Sequence, residues 1–412
     1  MSNVFEMLKE RGYIYQATHE DEIKKAINGE PISFYLGIDP TADSLHIGHF
    51  FALMMFRHLQ DAGHKGVLLI GGATALVGDP SGRSDMRKMI TKEEVRHNLE
   101  EVKILAKRFI KTDGNNPAVI VDNADWITPY GYIDFMRDVG IHFNINKMLA
   151  TEAYANRLEE GGLTFLEMGY MLMQAYDFVY LNKKYGCSLQ IGGSDQWGNI
   201  VAGSDLGRKL SFAAGEEKDV MFGLTCPLLM TNDGTKMGKT ASGTLWVARE
   251  KTTVYDFYQY FYNVKDEDIE PLLRLFTRVE LSEIIDLCKN DIINAKRIMA
   301  FEVTKLVHGE EEAEKAQASA RALFYGGASD ENMPTTAVTD ENFTDNSVLV
   351  VDLLILGGLA KSKREARQLI EQGGVLIADN KVTDIAQTVS RADINAGLVI
   401  KKGKKSFMKF VM

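Results

Sequence analysis

Cysteine is scarce in this 412-residue chain: Cys187, Cys226 and Cys288 are the only three, far apart and in no metal-like pair. That argues against a disulfide framework or a cysteine-built zinc site, and suits free thiols in a reducing compartment. Long apolar runs are missing too, since no stretch approaches the ~18 residues a membrane helix needs. The opening "MSNVFEMLKERGYIYQ" carries acidic residues early and no apolar core, so it does not read as a signal peptide, and a cytoplasmic location is expected. Positive charge is not in excess; the formal net charge of -10 argues against indiscriminate nucleic-acid binding. No internal repeat is visible. The dinucleotide fingerprint G-x-G-x-x-G is missing as well, so a nicotinamide cofactor is not indicated.

What is present is the composition of a soluble globular protein, 45% hydrophobic and 25% charged, with length for two or three domains. The first half alternates strand and helix signals. "FYLGID" (34–39), "KGVLLIGG" (65–72), "AVIVDN" (118–123) and "CSLQIGG" (187–193) read as strands. Helical spacing runs over 91–110, capped by Thr91 with Glu94 three residues on, over the apolar 163–184, and onward from Asp195. Such alternation predicts an α/β fold, a doubly wound, mostly parallel sheet with helices on both faces. After about residue 250 the strand signal stops and helical periods take over. Residues 325–347 are polar, acidic and broken by Gly and Pro, as in a linker. A small α+β unit closes the chain; from Val350 to Met412 it holds 11 Lys/Arg against 6 Asp/Glu, a local surplus of positive charge that suits one polyanionic partner.

Five short stretches could carry chemistry. His46, Ile47, Gly48 and His49 open a helix, capped by Asp43 or Ser44. Free backbone N–H groups there favour a phosphate, the two histidines add donors, and Gly48 leaves room for a flat base. The alternatives are a core-packing helix or a two-histidine metal site, the latter short of ligands. In "GDPSGRSDMRK", Asp79 sits at a strand end where such folds bind ligands, and Arg83 and Arg87 share one helical face. Tyr170, Gln174 and Asp177 form a polar stripe at i, i+4 and i+7 on an apolar helix. It reads as either an internal network or a pocket for a ligand bearing an ammonium and a hydroxyl. "IGGSDQWGN" puts Gly192 and Gly193 at a strand end with Asp195 next, fit for a ribose or simply a capped turn. "TNDGTKMGKTASGT" places Lys236 and Lys239 on a glycine-rich loop able to close over a leaving phosphate, or merely solvated.

The set is more specific than its members. His-Ile-Gly-His early and Lys-Met-Gly-Lys-Thr late form the signature pair of class I aminoacyl-tRNA synthetases. With "GDPSG", "MLMQAYDF" and "QIGGSDQWGN" between them, the chain resembles the bacterial-type tyrosyl-tRNA synthetases from end to end. The resemblance implies a Rossmann-like catalytic domain (1–225), a mobile signature-loop segment (226–248), an α-helical domain (249–325) and a linker (326–347). An RNA-binding domain (348–412) like that of ribosomal small-subunit protein four would follow. It implies activation of tyrosine by ATP with Mg2+, then transfer to tRNA(Tyr), in a homodimer whose candidate interface is 130–149. Tyr35 and Asp177 would read the substrate hydroxyl; Tyr170, Gln174 and Asp79 its ammonium; Gln196 its carboxylate. Gly37, Asp39, Thr41, His46, Gly48, His49, Gly192, Gly193, Asp195 and Lys239 would hold ATP. His46 and His49, with Arg83, Arg87, Lys236, Lys239 and Thr240, would stabilise the transition state. Lys361, Lys363, Arg364 and Arg367 would meet RNA. The chain departs from the common signature at Gly238 and Thr240, where serines are usual, and at Arg83, where relatives often carry lysine. Tryptophanyl-tRNA synthetase is the sister reading, and an RNA-binding paralogue without catalysis is the non-enzymatic one.

Overall fold

The computed structural model describes residues 3–81, 89–215, 220–234, 237–240, 243–325, 335–344, 346–377, 380–403 and 406–412. Two compact units divide it, residues 1–310 and 311–412.

The first unit is built on a six-stranded sheet of β1 (Gln16–Ala17), β2 (Ser33–Ile38), β3 (Lys65–Ile70), β4 (Val119–Asp122), β5 (Cys187–Gly193) and β6 (Phe222–Cys226). Their order is β1-β6-β5-β2-β3-β4; all neighbours run parallel except β1, which closes the edge antiparallel to β6. The chain winds outward from β2 through β3 to β4, then returns to the other side of β2 with β5. The crevice beyond the carboxyl ends of β2 and β5 is therefore a topological switch point, the place where open α/β sheets bind ligands. The four strands expected from sequence are all present. β1 and β6 carried no comparable signal.

Two helices fix the crevice. α1 (Ile47–Asp61) follows β2, and α2 (Phe165–Tyr185) precedes β5. Consecutive strand residues point to opposite faces. Phe34 meets Phe56 of α1 at 4.8 Å between ring centres, while Tyr35 meets Phe178 of α2 at 5.1 Å. The helices therefore cover opposite faces of the sheet. α2 begins at a capping box between Thr164 and Glu167, and the buried Glu167 carboxylate also pairs with buried Arg157 at 2.9 Å. The Thr91–Glu94 capping box expected for the Lys92–Ala106 helix is formed. α3 (Trp197–Ala214) follows β5 after a short 3-10 turn over Ser194–Gln196.

Beyond the sheet come α4 (Val254–Tyr262), α5 (Asp266–Phe276), α6 (Leu281–Asn290) and α7 (Ile292–His308). The helical period expected past residue 250 is broken at Gly309, whose φ of +93° ends α7 before a further helix, Glu310–Tyr325. Arg11 ties the amino-terminal helix to this layer by donating to the carbonyls of Arg274, Thr277 and Val279.

In the second unit a five-stranded sheet is ordered 380–381, 375–377, 398–402, 406–411, 335–337. The stretch read as a linker thus contributes a strand: Thr335–Ala337 pairs in parallel with Ser406–Val411. Three residues, Thr-Thr-Ala, are too few to register as a strand without that partner.

Candidate active site

The carboxyl ends of β2 and β5 and the start of α1 enclose a cavity of about 530 Å3. Of the residues singled out from sequence, Tyr35, Gly37, Asp39, Thr41, His46, Gly48, His49, Asp79, Tyr170, Gln174, Asp177, Gly192, Gly193, Asp195 and Gln196 all line it. Arg83, Arg87 and Lys236 lie outside the described residues, as do the side chains of Lys239 and Thr240.

The cap of α1 corrects the sequence reading. Asp43 and Ser44 do not cap it; His46 does, with Nδ1 accepting from the Gly48 and His49 amides at 3.1 and 3.3 Å. His49 Nδ1 accepts from the His46 amide at 3.4 Å, so the two histidines form a reciprocal capping box with rings stacked 3.7 Å apart. An Nδ1 that accepts leaves the proton of a neutral ring on Nε2, so each imidazole carries its donor on the outer nitrogen. Gly48 is explained by the same geometry: a Cβ there would stand 3.0 Å from the His46 ring. Asp43 and Ser44 instead hold the chain after the signature loop, Asp43 through Lys251 at 2.6 Å and Ser44 Oγ through the Ala248 amide at 3.2 Å.

Deeper in the cavity is a polar slot. Asp177 is 1% exposed and accepts from Trp126 Nε1 at 2.8 Å and Asn123 Nδ2 at 3.0 Å. Burial pushes its carboxyl up to about 8, against the pull of those two hydrogen bonds and with the help of the Asp39 and Asp122 charges. Tyr170 donates to Asp39 at 2.9 Å, and Asp39 also accepts from Thr74 at 2.6 Å. Asp79 accepts from Gln196 Nε2 at 2.6 Å and from the Ser81 amide at 2.9 Å. Among the described residues, no protein group satisfies the buried Tyr35 Oη, Gln174 Oε1 or Gln190 Oε1. Leaving such a group unpaired costs about 1–3 kcal/mol each, so three lining one cavity mark a place shaped for a polar ligand. Gln190 escaped the sequence reading, although an amide inside the apolar strand "CSLQIGG" was a usable signal. Asn123, directly after β4, could have been found by the strand-end logic applied to Asp79, although Asp79 itself stands past β3 beyond a short helix, Thr74–Val77. For Trp126 there was no signal. Among the described residues no group of three or more His, Cys, Asp and Glu side chains is placed to hold a metal ion.

The signature segment closes one side. Met237 and Gly238 line the cavity, and Lys239–Thr240 pairs with Gly243–Thr244 as a two-residue hairpin. Gly238 has a φ of +85°, and a Cβ on it would fall 2.6 Å from Ile47 Cγ2. Glycine at this departure from the common signature is thus required by the conformation and by contact with the histidine tetrad. Val247 donates to the Leu45 carbonyl at 2.9 Å, so the two signature motifs are joined through backbone.

A two-histidine helix start facing glycine-edged strand ends and a signature hairpin defines the class I tRNA synthetase architecture. The family described as tRNA synthetases class I (W and Y) matches residues 27–325, and that of the tyrosine–tRNA ligase SYY-like C-terminal domain matches 327–410. The tyrosine–tRNA ligase of Acetivibrio thermocellus is 51% identical over 99% of this chain and 98% of its own, and that of Clostridium botulinum 49% identical over the whole of both. Among solved structures, a C-terminally truncated mitochondrial tyrosyl-tRNA synthetase from Aspergillus nidulans superposes with a TM-score of 0.70 at 29% identity, covering 79% of this chain and 95% of that one. The chain belongs to the tyrosine–tRNA ligases, enzymes of class I that use ATP as a substrate.

Proposed function

We propose that the cavity binds L-tyrosine with its ring in the Asp177 slot and ATP across the strand ends, forms tyrosyl-adenylate, and passes tyrosine to the 3′ end of tRNA(Tyr). The observation that carries this is the set of buried, unsatisfied oxygens on Tyr35, Gln174 and Gln190 around the Asp177 carboxyl. A phenol both donates and accepts, so its hydroxyl suits Tyr35 and Asp177 whichever holds a proton. Phenylalanine would enter the same slot and leave those groups unpaired. Tyr170, Gln174 and Asp79 take the ammonium, and Gln196, held by Asp79, lies toward the carboxylate.

The substrate carboxylate is the nucleophile. A new bond forms from its oxygen to the α-phosphorus, the bond to the bridging oxygen breaks, and the electron pair leaves on pyrophosphate. No general base is needed, and the protein's work is positioning and charge stabilisation. His46 and Thr41 face the phosphates; Gly48, His49, Gly37 and Asp39 lie by the base and sugar; Gly192, Gly193 and Asp195 take the ribose. Arg83, Arg87, Lys236, Lys239 and Thr240 are assigned to the departing pyrophosphate. Mg2+ belongs to the substrate, carried by the ATP phosphates.

For tRNA we assign the amino-terminal turn of the Lys363–Glu371 helix, where Lys361, Lys363, Arg364 and Arg367 are exposed beside the Ser362 cap. Domains are taken as catalytic (1–225), signature segment (226–248), helical (249–325) and RNA-binding (348–412, with the Thr335–Ala337 strand). A cytoplasmic homodimer joined through 130–149 completes the reading; no helix among the described residues is long and apolar enough to cross a membrane.

The test is exchange of labelled pyrophosphate into ATP with tyrosine, tryptophan or phenylalanine. Exchange with tyrosine alone, cut at least tenfold by Asp177→Asn, is expected. Exchange driven by tryptophan would transfer the chain to the sister specificity, and none from folded protein would leave an RNA-binding paralogue.

A further inference from the structure

The signature segment leaves the sheet at β6 and meets Leu45, just before α1, through Val247; among its described residues Lys239–Thr240 and Gly243–Thr244 pair as a short ladder, and other backbone amides must find partners outside it. The structure satisfies them one by one. Met237 donates to the Leu229 carbonyl at 2.8 Å, and Leu245 to the Gly238 carbonyl at 2.7 Å. Two others are satisfied by side chains of the helical layer. Asn232 donates to Asp268 Oδ1 at 2.8 Å, and Gly238 donates to Tyr260 Oη at 2.9 Å. Asp268 is buried on α5 and Tyr260 half-buried on α4.

Gly238 is where three constraints meet. Its positive φ, the Ile47 side chain on one side and the Tyr260 hydroxyl on its amide together fix a backbone position of the segment that, beside Met237, lines the cavity next to the tetrad. Tyr260 itself does not line the cavity. Its ring is braced edge-on by Phe261 at 5.3 Å. Burial, outweighing the Gly238 hydrogen bond and aided by the Asp268 charge, holds the phenol above its usual range and so in the neutral form throughout the working pH range.

We propose that Tyr260 is a positioning residue for tyrosine activation: by accepting the Gly238 amide it sets the signature backbone against the tetrad's helix, with Asp268 anchoring the same segment at Asn232. This rests on the reading of the cavity as an adenylate-forming site. A group that acts only by placing the segment around the displacement stabilises the transition state, not bound tyrosine. Its loss therefore slows the forward and reverse steps alike and leaves tyrosine affinity unchanged.

The experiment is quenched-flow measurement of tyrosyl-adenylate formation and of its pyrophosphorolysis on the full chain, with tyrosine affinity by equilibrium titration and a thermal melt for each variant. Tyr260→Phe keeps the ring and removes the hydroxyl. About 3- to 10-fold slowing in both directions is expected, the range a single neutral hydrogen bond supports. Asp268→Ala should slow both directions similarly, while Asp268→Asn, which keeps an acceptor for the Asn232 amide, should restore them to within about twofold. Wild-type rates in Tyr260→Phe would overturn the proposal, as would slowing that comes with weakened tyrosine binding. A wild-type protein that makes no adenylate would remove both this inference and the function it rests on.

Discussion

Asp177 sits in a conflict that its neighbours only partly resolve. Full burial favours the neutral acid, while two N–H donors, from Asn123 and Trp126, favour the anion. With the folded carboxyl near 8 and its ordinary value at 3.8, the folded chain keeps a proton that the unfolded chain has lost across that whole window. Stability contributed by this group therefore falls as pH rises from about 4 to 8 and levels off above. In calorimetry of the protein without tyrosine, Tm of the wild type should drop more steeply between pH 5 and pH 8 than Tm of Asp177→Asn. Parallel slopes would mean that Asp177 is ionised throughout. The same conflict is what would let the proposed slot discriminate. A substrate hydroxyl can donate to the anion or accept from the acid, and a bare ring can do neither.

At the scale of elements, α1 shows one structure carrying two duties. Its first turn is closed by imidazoles where Ser, Thr, Asp or Asn is usual. His46→Asn keeps an acceptor at the cap and should hold stability in urea near that of the wild type. His46→Ala should lose about 1 kcal/mol. Both should lower the rate of adenylate formation, because neither offers the outer imidazole donor. Equal activity of the asparagine variant would show that His46 only caps. The elements around it were unequally legible. β2 to β5 were readable because parallel strands are short apolar runs, and β3 is followed by, and β5 ends in, paired glycines. β1, two residues of no distinctive type, and β6, "FGLTC", exist through pairing with β5 and with each other across some 200 residues, which no local pattern records. The site divides in the same way. The histidine tetrad, the 170–177 stripe and "IGGSD" were visible because each concentrates polar side chains where apolar ones were due. The supports were hidden. Gln190 reaches the slot by its register opposite Tyr35, and Trp126 by a helical turn brought under α2 by the fold.

For the whole molecule, the question is what the pocket gains from a second copy. Residues 130–149 expose Tyr132, Ile133, Ile141 and Ile145, each more than half exposed. Large apolar side chains exposed together in one short stretch are the kind of surface that protein interfaces use. A chain of rings leads inward from it. Tyr130 and Phe135 meet Tyr176 at 5.3 and 6.0 Å, Tyr176 meets Tyr180 at 6.4 Å, and Tyr180 stacks on Trp126 at 4.3 Å. Trp126 is one of the two donors that hold Asp177. Burying the patch against a partner would therefore brace the ring column that orients the tyrosine slot. The double variant Ile133→Glu, Ile141→Glu would place four like charges across the proposed two-fold interface and should sediment as a monomer at micromolar concentration, where the wild type is expected to run as a dimer. Its KM for tyrosine should rise several-fold while that for ATP, which the proposed function places at the strand ends, moves less. A monomeric variant with an unaltered tyrosine KM would uncouple the ring column from the interface, and a monomeric wild type would remove the interface itself.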